Sequence, residues 1–251
     1  MEKSPKAEDA VTLKGSIVKK SNDLHIDLNS ELKESSKDMQ EIVQELEFRI
    51  GRGLFKLDPY HDDIDKEAVS NFLNWHEDFD GDWPPCNAIL TGLPGTGKSR
   101  ALAYSARKKC IEGSASIDWI TAYEFSELVS ELSTDKRCQA MDRLNELAEA
   151  VILYFDDLGS ASFTPQRLAQ FLKLMDIRYR KKWPTFFSTN YTTPELKKLL
   201  LHSGASDFEA TRILWRIIGT PSEPRANFFH FKKTEPNLAT NSLKNWNETN
   251  P

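Results

Sequence analysis

The sequence predicts an α/β domain in which helices cover both faces of a parallel sheet. Three observations lead to this prediction. Short apolar segments alternate along the chain with longer segments of helical periodicity. A glycine-rich segment connects one apolar segment directly to a predicted helix, and another apolar segment of strand length ends in two adjacent aspartates. Parallel strands need long crossover connections, and the intervening helices supply them.

The first 55 residues differ in composition from the rest of the chain. Residues 1–34 are mostly polar and charged, and we expect weak order there. Ser35 begins a capping-box pattern at the start of a helix. Apolar residues follow at helical spacing, namely Met39, Ile42, Val43, Leu46 and Ile50. This helix either packs on the main domain or presents its apolar stripe to a partner protein, so residues 1–55 are a candidate docking arm.

Helices and strands alternate through residues 56–235. The predicted helices are 66–77, 98–111, 122–132 and 137–150, followed by helices that start at Thr164-Pro165, at Thr193-Pro194 and in the capping box Ser206–Glu209. The predicted strands are 87–90, 117–120, 151–155, 185–188 and 226–231. We therefore expect one α/β domain over residues 56–235, followed by a polar C-terminal tail, 236–251.

The composition of the chain narrows the possible classes of protein. No run of eighteen apolar residues occurs, and the N-terminus lacks the apolar core of a signal peptide, so we expect a cytoplasmic protein without membrane contact. Three widely spaced cysteines fit a reducing compartment and argue against a structural zinc site. A net charge of −5 argues against a protein that coats duplex DNA, but it permits a local basic patch.

The segment GLPGTGKS, residues 92–99, fits the pattern G-x-x-x-x-G-K-[ST], which binds the phosphates of a nucleoside triphosphate. It follows a predicted strand and opens a predicted helix, which is the context that the pattern requires. Lys98 should reach the β- and γ-phosphates, and Ser99 should ligate Mg²⁺. The predicted nucleotide-binding residues are Gly92, Pro94, Gly95, Thr96, Gly97, Lys98 and Ser99.

Two aspartates follow the apolar run VILYF. If this strand lies beside the strand before the phosphate-binding loop, the Asp156 carboxylate can hold the metal through water. Asp157 then lies where a base or water-orienting group is needed. It is one methylene shorter than the glutamate of many ATPases, so either the water lies closer or turnover is slow. The alternative is that Asp157 caps the turn at Leu158-Gly159.

Polar residues near two further elements complete the predicted catalytic set. Asn190 ends the strand TFFST and can hold the attacking water or sense the γ-phosphate, although turn asparagines are common. Arg212 and Arg216 are four residues apart and share a helix face. They form either a solvated stripe or an arginine finger that completes the site of a neighbouring subunit, which would require an oligomer.

A basic cluster at the end of another predicted helix is a candidate DNA contact. Four cations, Arg178, Arg180, Lys181 and Lys182, surround the aromatic Tyr179. Cations with a stacking aromatic suit single-stranded nucleic acid. The favoured alternative is that these cations complement the dipole at the C-terminus of their helix.

Taken in order, the segments GLPGTGKS, VILYFDDLG, FFSTN and TRILWR resemble those of AAA+ ATPases. More narrowly, residues 55–232 resemble the DnaC/IstB group of replicative helicase loaders and transposition helper ATPases. The resemblance implies a P-loop NTPase fold without a full C-terminal helical lid. It also implies that Lys98 and Ser99 form the Walker A pair and that Asp156 and Asp157 form the Walker B pair.

The resemblance assigns further roles and a function. Asn190 would be the first sensor, and Arg216 is a better candidate for the arginine finger than the adjacent Arg212. The implied function is an ATP- and Mg²⁺-dependent ATPase that forms a homo-oligomer with ATP and loads a replicative helicase onto single-stranded DNA. One alternative is an IstB-like regulator of a transposase. The other is a P-loop kinase of a small substrate, which would need an acceptor pocket and a lid.

Overall fold

The computed structural model describes residues 37–61, 64–77, 87–113 and 116–233. The expected weakly ordered segment, 1–34, and the predicted tail, 236–251, lie outside the described residues, as does the start of the capping box at Ser35. Within the described ranges, no helix is both long enough and apolar enough to span a membrane.

The helices of the described part are α1 Lys37–Ile50, α2 Arg52–Phe55, α3 Lys66–Glu77, α4 Lys98–Ile111, α5 Ala122–Glu131, α6 Arg137–Glu149, α7 Pro165–Lys181, α8 Thr193–His202 and α9 Asp207–Ile218. The strands are β1 Asn87–Gly92, β2 Ile117–Thr121, β3 Ile152–Asp156, β4 Thr185–Thr189, β5 Gly219–Thr220, β6 Glu223–Pro224 and β7 Ala226–Phe231. The predicted long helices and the five longer strands are confirmed. The hairpin β5–β6 was not predicted, because two-residue strands are too short to show a pattern.

The five longer strands form one parallel sheet in the order β2-β3-β4-β1-β7. The expectation that the Asp156 strand lies beside the strand before the loop is wrong, because β4 lies between them. Phe187 of β4 is opposite Ile89 of β1 on one side and opposite Phe155 of β3 on the other. Buried parallel strands all have mainly apolar centres, so sequence alone does not indicate which strands are neighbours.

Helices cover both faces of the sheet, as predicted, and each face has its own hydrophobic cluster. Successive strand residues point to opposite faces. Phe155 and Phe187 therefore pack with α5 to α9, whereas Tyr154 and Phe186 pack with α1, α3 and α4. Each buried aromatic or aliphatic side chain of this kind stabilises the fold by about 1.5–3 kcal/mol.

Helix α1 packs on the main domain. Val43, Leu46 and Ile50 are buried in the same cluster as residues of α3 and α4, which is the first of the two alternatives for this helix. The opposite side of the helix remains at the surface, with Ile42 53% and Phe48 86% exposed. The stripe is thus covered by the protein's own core, and among the described side chains of α1 Ile42 and Phe48 are the large apolar ones left exposed.

Ion pairs connect α1 to β2, the strand at one edge of the sheet. Asp118 of β2 is buried and accepts hydrogen bonds from Arg49 Nη1 at 2.6 Å and from Arg143 Nη2 at 2.7 Å. Loss of both arginines would leave the Asp118 charge buried without a partner, which is unfavourable. The two arginines therefore connect α1 and α6 through a single carboxylate.

The helix starts follow the predicted capping signals, with one correction. Thr164 caps α7 as expected, and Ser206 forms the predicted capping box at α9. The cap of α8 is Thr192 and not Thr193. The Glu195 carboxylate accepts hydrogen bonds from the Thr192 backbone N–H and hydroxyl, both at 2.7 Å, and this capping box places the helix start one residue earlier.

A buried polar cluster connects α3, α4 and β3 within the core. Ser105 Oγ lies 3.3 Å from His76 Nε2 and 3.0 Å from the Tyr154 hydroxyl, and all three side chains are almost fully buried. Burial, reinforced by the nearby cations Lys109 and Lys108, lowers the pKa of His76 to about 3. The imidazole is therefore neutral in the folded protein at physiological pH.

This buried histidine predicts acid-sensitive stability. The folded pKa lies below the unfolded value of 6.5, so the unfolded chain binds the proton and stability falls as pH decreases from about 6.5 towards 3. By pH 5 the loss should approach about 2 kcal/mol, at about 1.4 kcal/mol per pH unit. Urea unfolding at pH 7.5 and 5.0 should show a smaller loss for His76→Gln than for the parent. Equal losses for the two proteins would contradict the assignment.

Candidate functional site

The phosphate-binding loop connects β1 to α4 through glycines with left-handed backbone. Gly95 has a φ of 78° and Gly97 a φ of 102°. A Cβ atom on Gly97 would lie 2.8 Å from Cβ of Ile64, so glycine is required there for space as well as for conformation. No side chain caps the N-terminus of α4. Its free backbone N–H groups therefore form an anion-binding site at the loop.

Lys98 lies inside this loop and is almost completely buried. Its Nζ donates hydrogen bonds to the carbonyls of Gly92 at 2.8 Å and Leu93 at 2.7 Å. Burial lowers the pKa of Lys98, against the opposing effects of Asp157 and Asp156. A phosphate at the loop would give this ammonium a charged acceptor in place of neutral carbonyls, which is a stronger interaction.

Asp156 is the buried carboxylate at the end of β3. Its Oδ1 accepts a hydrogen bond from Ser99 Oγ at 2.8 Å and another from Ser188 Oγ. Burial raises the pKa of Asp156, while the bonds from Ser188 and Ser99 lower it. Hydroxyl and carboxylate oxygens are the ligands that Mg²⁺ prefers, so the pair Ser99 and Asp156 fits the predicted metal site.

Ser188 connects the strands of the site, and the sequence interpretation missed it. Besides contacting Asp156, its Oγ accepts a hydrogen bond at 2.8 Å from the backbone N–H of Asp157. Its carbonyl accepts another, also at 2.8 Å, from the N–H of Leu158. The signal was a serine two residues before Asn190, directly after the apolar pair Phe186-Phe187. Its importance depends on β4 lying beside β3, which the sequence did not reveal.

Asp157 and Asn190 lie together just beyond the C-terminal ends of β3 and β4. Asn190 Nδ2 donates a hydrogen bond to Asp157 Oδ1 at 3.4 Å. Asp157 has a left-handed backbone with a φ of 57°, a conformation that aspartate and asparagine tolerate better than most residues. Among the described residues, its carboxylate bonds to Asn190 and not to the backbone of its own turn. This geometry favours the predicted site over the alternative of a turn cap.

One cavity of about 350 Å³ brings these groups together. Pro94, Gly95, Gly97, Lys98, Ser99, Asp157, Ser188 and Asn190 line it. Leu54 and Ile64 supply an apolar wall, and Arg100 contributes a further cation. Sequence reasoning missed these last three, because Leu54 and Ile64 precede the loop in sequence and Arg100 directly follows the motif. The cavity therefore joins the phosphate-binding loop and Ser99 to the pair Asp157 and Asn190. Asp156 does not line the cavity and contacts it through its hydrogen bond from Ser99.

Arg212 and Arg216 do not line this cavity. Both bond to Asp176 of α7 in the same chain: Arg212 Nη2 at 2.5 Å and Arg216 Nε at 2.6 Å. Because both guanidinium groups pair with Asp176, they are not free solvated cations, although 41% of the Arg212 side chain remains exposed. An interaction with a nucleotide would have to involve the site of another copy.

Arg178 is not a DNA contact. Only 1% of its surface is exposed, and its guanidinium donates to carbonyls of Ala150 at 2.6 Å and Pro184 at 2.5 Å and to Thr185 Oγ1 at 2.8 Å. Burial lowers the pKa of Arg178 to about 9. The side chain connects the end of α6 to the start of β4. A cluster of cations in the sequence does not reveal whether one of its members is buried in this way or lies at the surface.

The other members of the basic cluster are exposed at the C-terminus of α7. Lys181 pairs with Glu149 and lies 4.3 Å over the Trp183 ring. Tyr179 is not available for base stacking, because Arg216 and Arg225 each lie 4.2 Å over its ring. Arg180, Lys181 and Lys182 thus remain as possible phosphate contacts without the aromatic that the sequence suggested.

The family of the chain follows from its sequence match. Residues 61–217, more than half of the chain, match the model of the IstB-like ATP binding protein family. The chain belongs to this family. Among curated proteins, none matches the sequence significantly.

Solved structures of similar fold include replication proteins. The crystal structure of DnaI has a TM-score of 0.58 and 22% identity, with 72% of this chain and 94% of the other covered. The DnaC helicase loader has a TM-score of 0.53 and 15% identity, with 72% and 100% covered. A putative primosome component from Streptococcus pyogenes serotype M3 has a TM-score of 0.50 and 21% identity, with 70% and 86% covered. These similarities show a shared fold.

Two substitutions should affect different steps of the reaction. Lys98→Ala should weaken ATP binding by about 10- to 150-fold, because a charge-assisted contact contributes about 1.5–3 kcal/mol. Asp157→Asn should retain ATP binding, because asparagine tolerates the left-handed backbone, but hydrolysis should fall by about 10²- to 10⁴-fold. Titration with a fluorescent ATP analogue and a phosphate-release assay measure the two effects.

Asp142→Asn serves as the control, since Asp142 is an exposed carboxylate on α6. It should bind and hydrolyse ATP like the parent. Normal hydrolysis by Asp157→Asn would show that Asp157 only shapes its turn. Normal ATP affinity of Lys98→Ala would show that the loop around Lys98 does not bind the phosphates of ATP.

Proposed function

We propose that this protein is an Mg²⁺-dependent ATPase whose bound nucleotide controls assembly with further copies, and that it loads a replicative helicase onto single-stranded DNA. Membership of an ATP-binding family supports the binding of ATP. The fold match covers 94% of DnaI and 100% of the DnaC helicase loader. This coverage supports helicase loading as the process for which ATP is used.

The observation that carries the proposal is the hydrogen-bonded chain from Ser99 through Asp156 and Ser188 to Asp157 and Asn190. It runs from the phosphate-binding loop across the ends of β3 and β4. A change at the γ-phosphate can therefore reach the turn after β3 and the loop after β4. This is the connection that a nucleotide-dependent switch needs.

The residues of the site divide the chemistry among them. Lys98 and the loop N–H groups bind the phosphates, and Ser99 and Asp156 would hold Mg²⁺, which neutralises phosphate charge when bound. Asp157 accepts a hydrogen bond from the attacking water and then its proton, and Asn190 orients that water. Arg216 of a second copy donates to the γ-phosphate, where negative charge accumulates during transfer.

The exposed side of α1 is the proposed docking surface for the partner protein. Phe48 is 86% exposed beside a groove that also includes Trp119, Leu128 and the carboxylates of Glu124 and Glu127. Exposed aromatic side chains are the usual anchors of protein interfaces. The exposed cations Arg180, Lys181 and Lys182 are the proposed contact for the DNA backbone.

Regulation of a transposase is the second candidate function, and the match to the IstB-like family model favours it. Both candidates use the same ATP site and differ in the partner. A kinase of a small substrate is not favoured by membership of this family. The partner bound by the α1 surface therefore distinguishes the two remaining candidates.

Phe48→Glu should weaken partner binding without affecting the ATP site. With ATP present, capture of the purified replicative helicase from the same organism should weaken by about 30-fold, the loss typical of an interface hot spot. Thermal stability and ATP affinity should stay at parental values, because the side chain is exposed. Gln44→Glu, which adds the same charge at an exposed position of α1, is the control and should bind the helicase normally.

The same assay with the transposase of a neighbouring gene separates the two candidates. Capture of the transposase and not the helicase would establish the alternative function. Capture of the helicase by Phe48→Glu at parental affinity would reject the docking surface.

A further inference from the structure

A single carboxylate between α7 and α9 holds both arginines of the proposed finger pair. Asp176 Oδ2 accepts from Arg212 Nη2 at 2.5 Å, and Asp176 Oδ1 accepts from Arg216 Nε at 2.6 Å. The side chains of Asp176 and Arg216 are only 22% and 24% exposed, so solvent screens this pair less than a fully exposed one.

An aromatic ring supports the same arginine from a second direction. The Arg216 guanidinium lies 4.2 Å over the ring of Tyr179, one helical turn after Asp176. Arg225, which is almost fully buried, also lies 4.2 Å over this ring. Two guanidinium groups thus pair with the Asp176 carboxylate and a third, that of Arg225, lies over the neighbouring ring. The cluster therefore retains positive charge that suits an anionic ligand.

The two arginines differ in the nitrogen atoms that they have available. Arg212 uses a terminal nitrogen for Asp176, whereas Arg216 uses Nε. Both terminal nitrogens of Arg216 therefore lack a hydrogen-bond partner among the described residues. These are donors that can bind a phosphate in parallel. Arg216 is the arginine that is both fixed in place and still able to bind an anion.

We propose that Asp176 is a positioning residue that, together with Tyr179, orients Arg216 towards the γ-phosphate of ATP bound to a second copy of this chain. The inference rests on the proposed function, because it requires the finger to act between copies. An unrestrained arginine would lose rotamer freedom on reaching the phosphate. The contacts to Asp176 and Tyr179 restrict that freedom before the copies meet, which is the advantage of preorganisation.

Asp176→Asn tests this role with little change in side-chain volume. ATP affinity should remain parental, because Asp176 does not line the nucleotide cavity. Hydrolysis by the assembled protein should fall at least 10-fold, towards the rate of Arg216→Ala. A fully engaged finger contributes about 10³- to 10⁵-fold, so a partial loss is measurable.

Mixing with Lys98→Ala provides a readout that a structural role would not change. Copies of Lys98→Ala lack a functional loop but carry an intact Asp176 and Arg216. Copies of Asp176→Asn carry an intact loop, so a mixed interface restores hydrolysis. Asp207→Asn removes a different ion pair of α9, at 2.8 Å to Lys197, and should hydrolyse ATP at the parental rate without mixing.

The outcomes separate this inference from the proposed function. If Arg216→Ala mixed with Lys98→Ala shows no restoration, the finger between copies is rejected whatever Asp176 does. If that mixture is restored, parental hydrolysis by Asp176→Asn, or a defect that mixing does not relieve, overturns the role of Asp176. If Asp176→Asn does not fold, Tyr179→Leu is tested in its place. Parental hydrolysis by Tyr179→Leu, or a defect that mixing with Lys98→Ala does not relieve, would then overturn the proposed positioning of Arg216.

Discussion

The site depends on the position of β4 between β1 and β3. Because β4 separates the two strands, Ser188 can bond to the Asp156 carboxylate and to the backbone N–H of Asp157 at once. The same placement brings Asn190 to Asp157. Without this strand order, Ser188 and Asn190 would not lie beside the Asp156-Asp157 turn at the end of β3.

Buried charges fix the elements that carry the site. At its N-terminal end, β4 is bound by Arg178, which donates to Pro184 and Thr185 and to the end of α6. At its C-terminal end, Thr189 Oγ1 donates to the Leu158 carbonyl at 2.7 Å. Helix α7, which carries Arg178, also carries the carboxylate that binds the two arginines of α9. The helix therefore connects the strand of the nucleotide site to the surface proposed to contact the next copy.

The sequence predicted the elements well, because apolar periodicity and capping residues act locally. It also singled out Lys98, Ser99, Asp156 and Asn190 as candidates, since these residues lie at strand ends or in a glycine-rich turn, and the structure places them around one cavity and its hydrogen bonds. Strand order was predicted wrongly, because apolar strands do not specify their neighbours, and Ser188 was missed for that reason. Burial of Arg178 was equally hidden: its partners are carbonyls of distant segments, which have no signature in the sequence.

Specific ATPase activity as a function of protein concentration is the most direct test of a site completed by a second copy. With saturating ATP, Mg²⁺ and single-stranded DNA, the rate per copy should rise with concentration and follow the assembled fraction measured by sedimentation velocity. Arg216 of one copy is then available to the nucleotide of the next. A rate per copy that stays constant from the monomeric to the assembled range would contradict catalysis between copies.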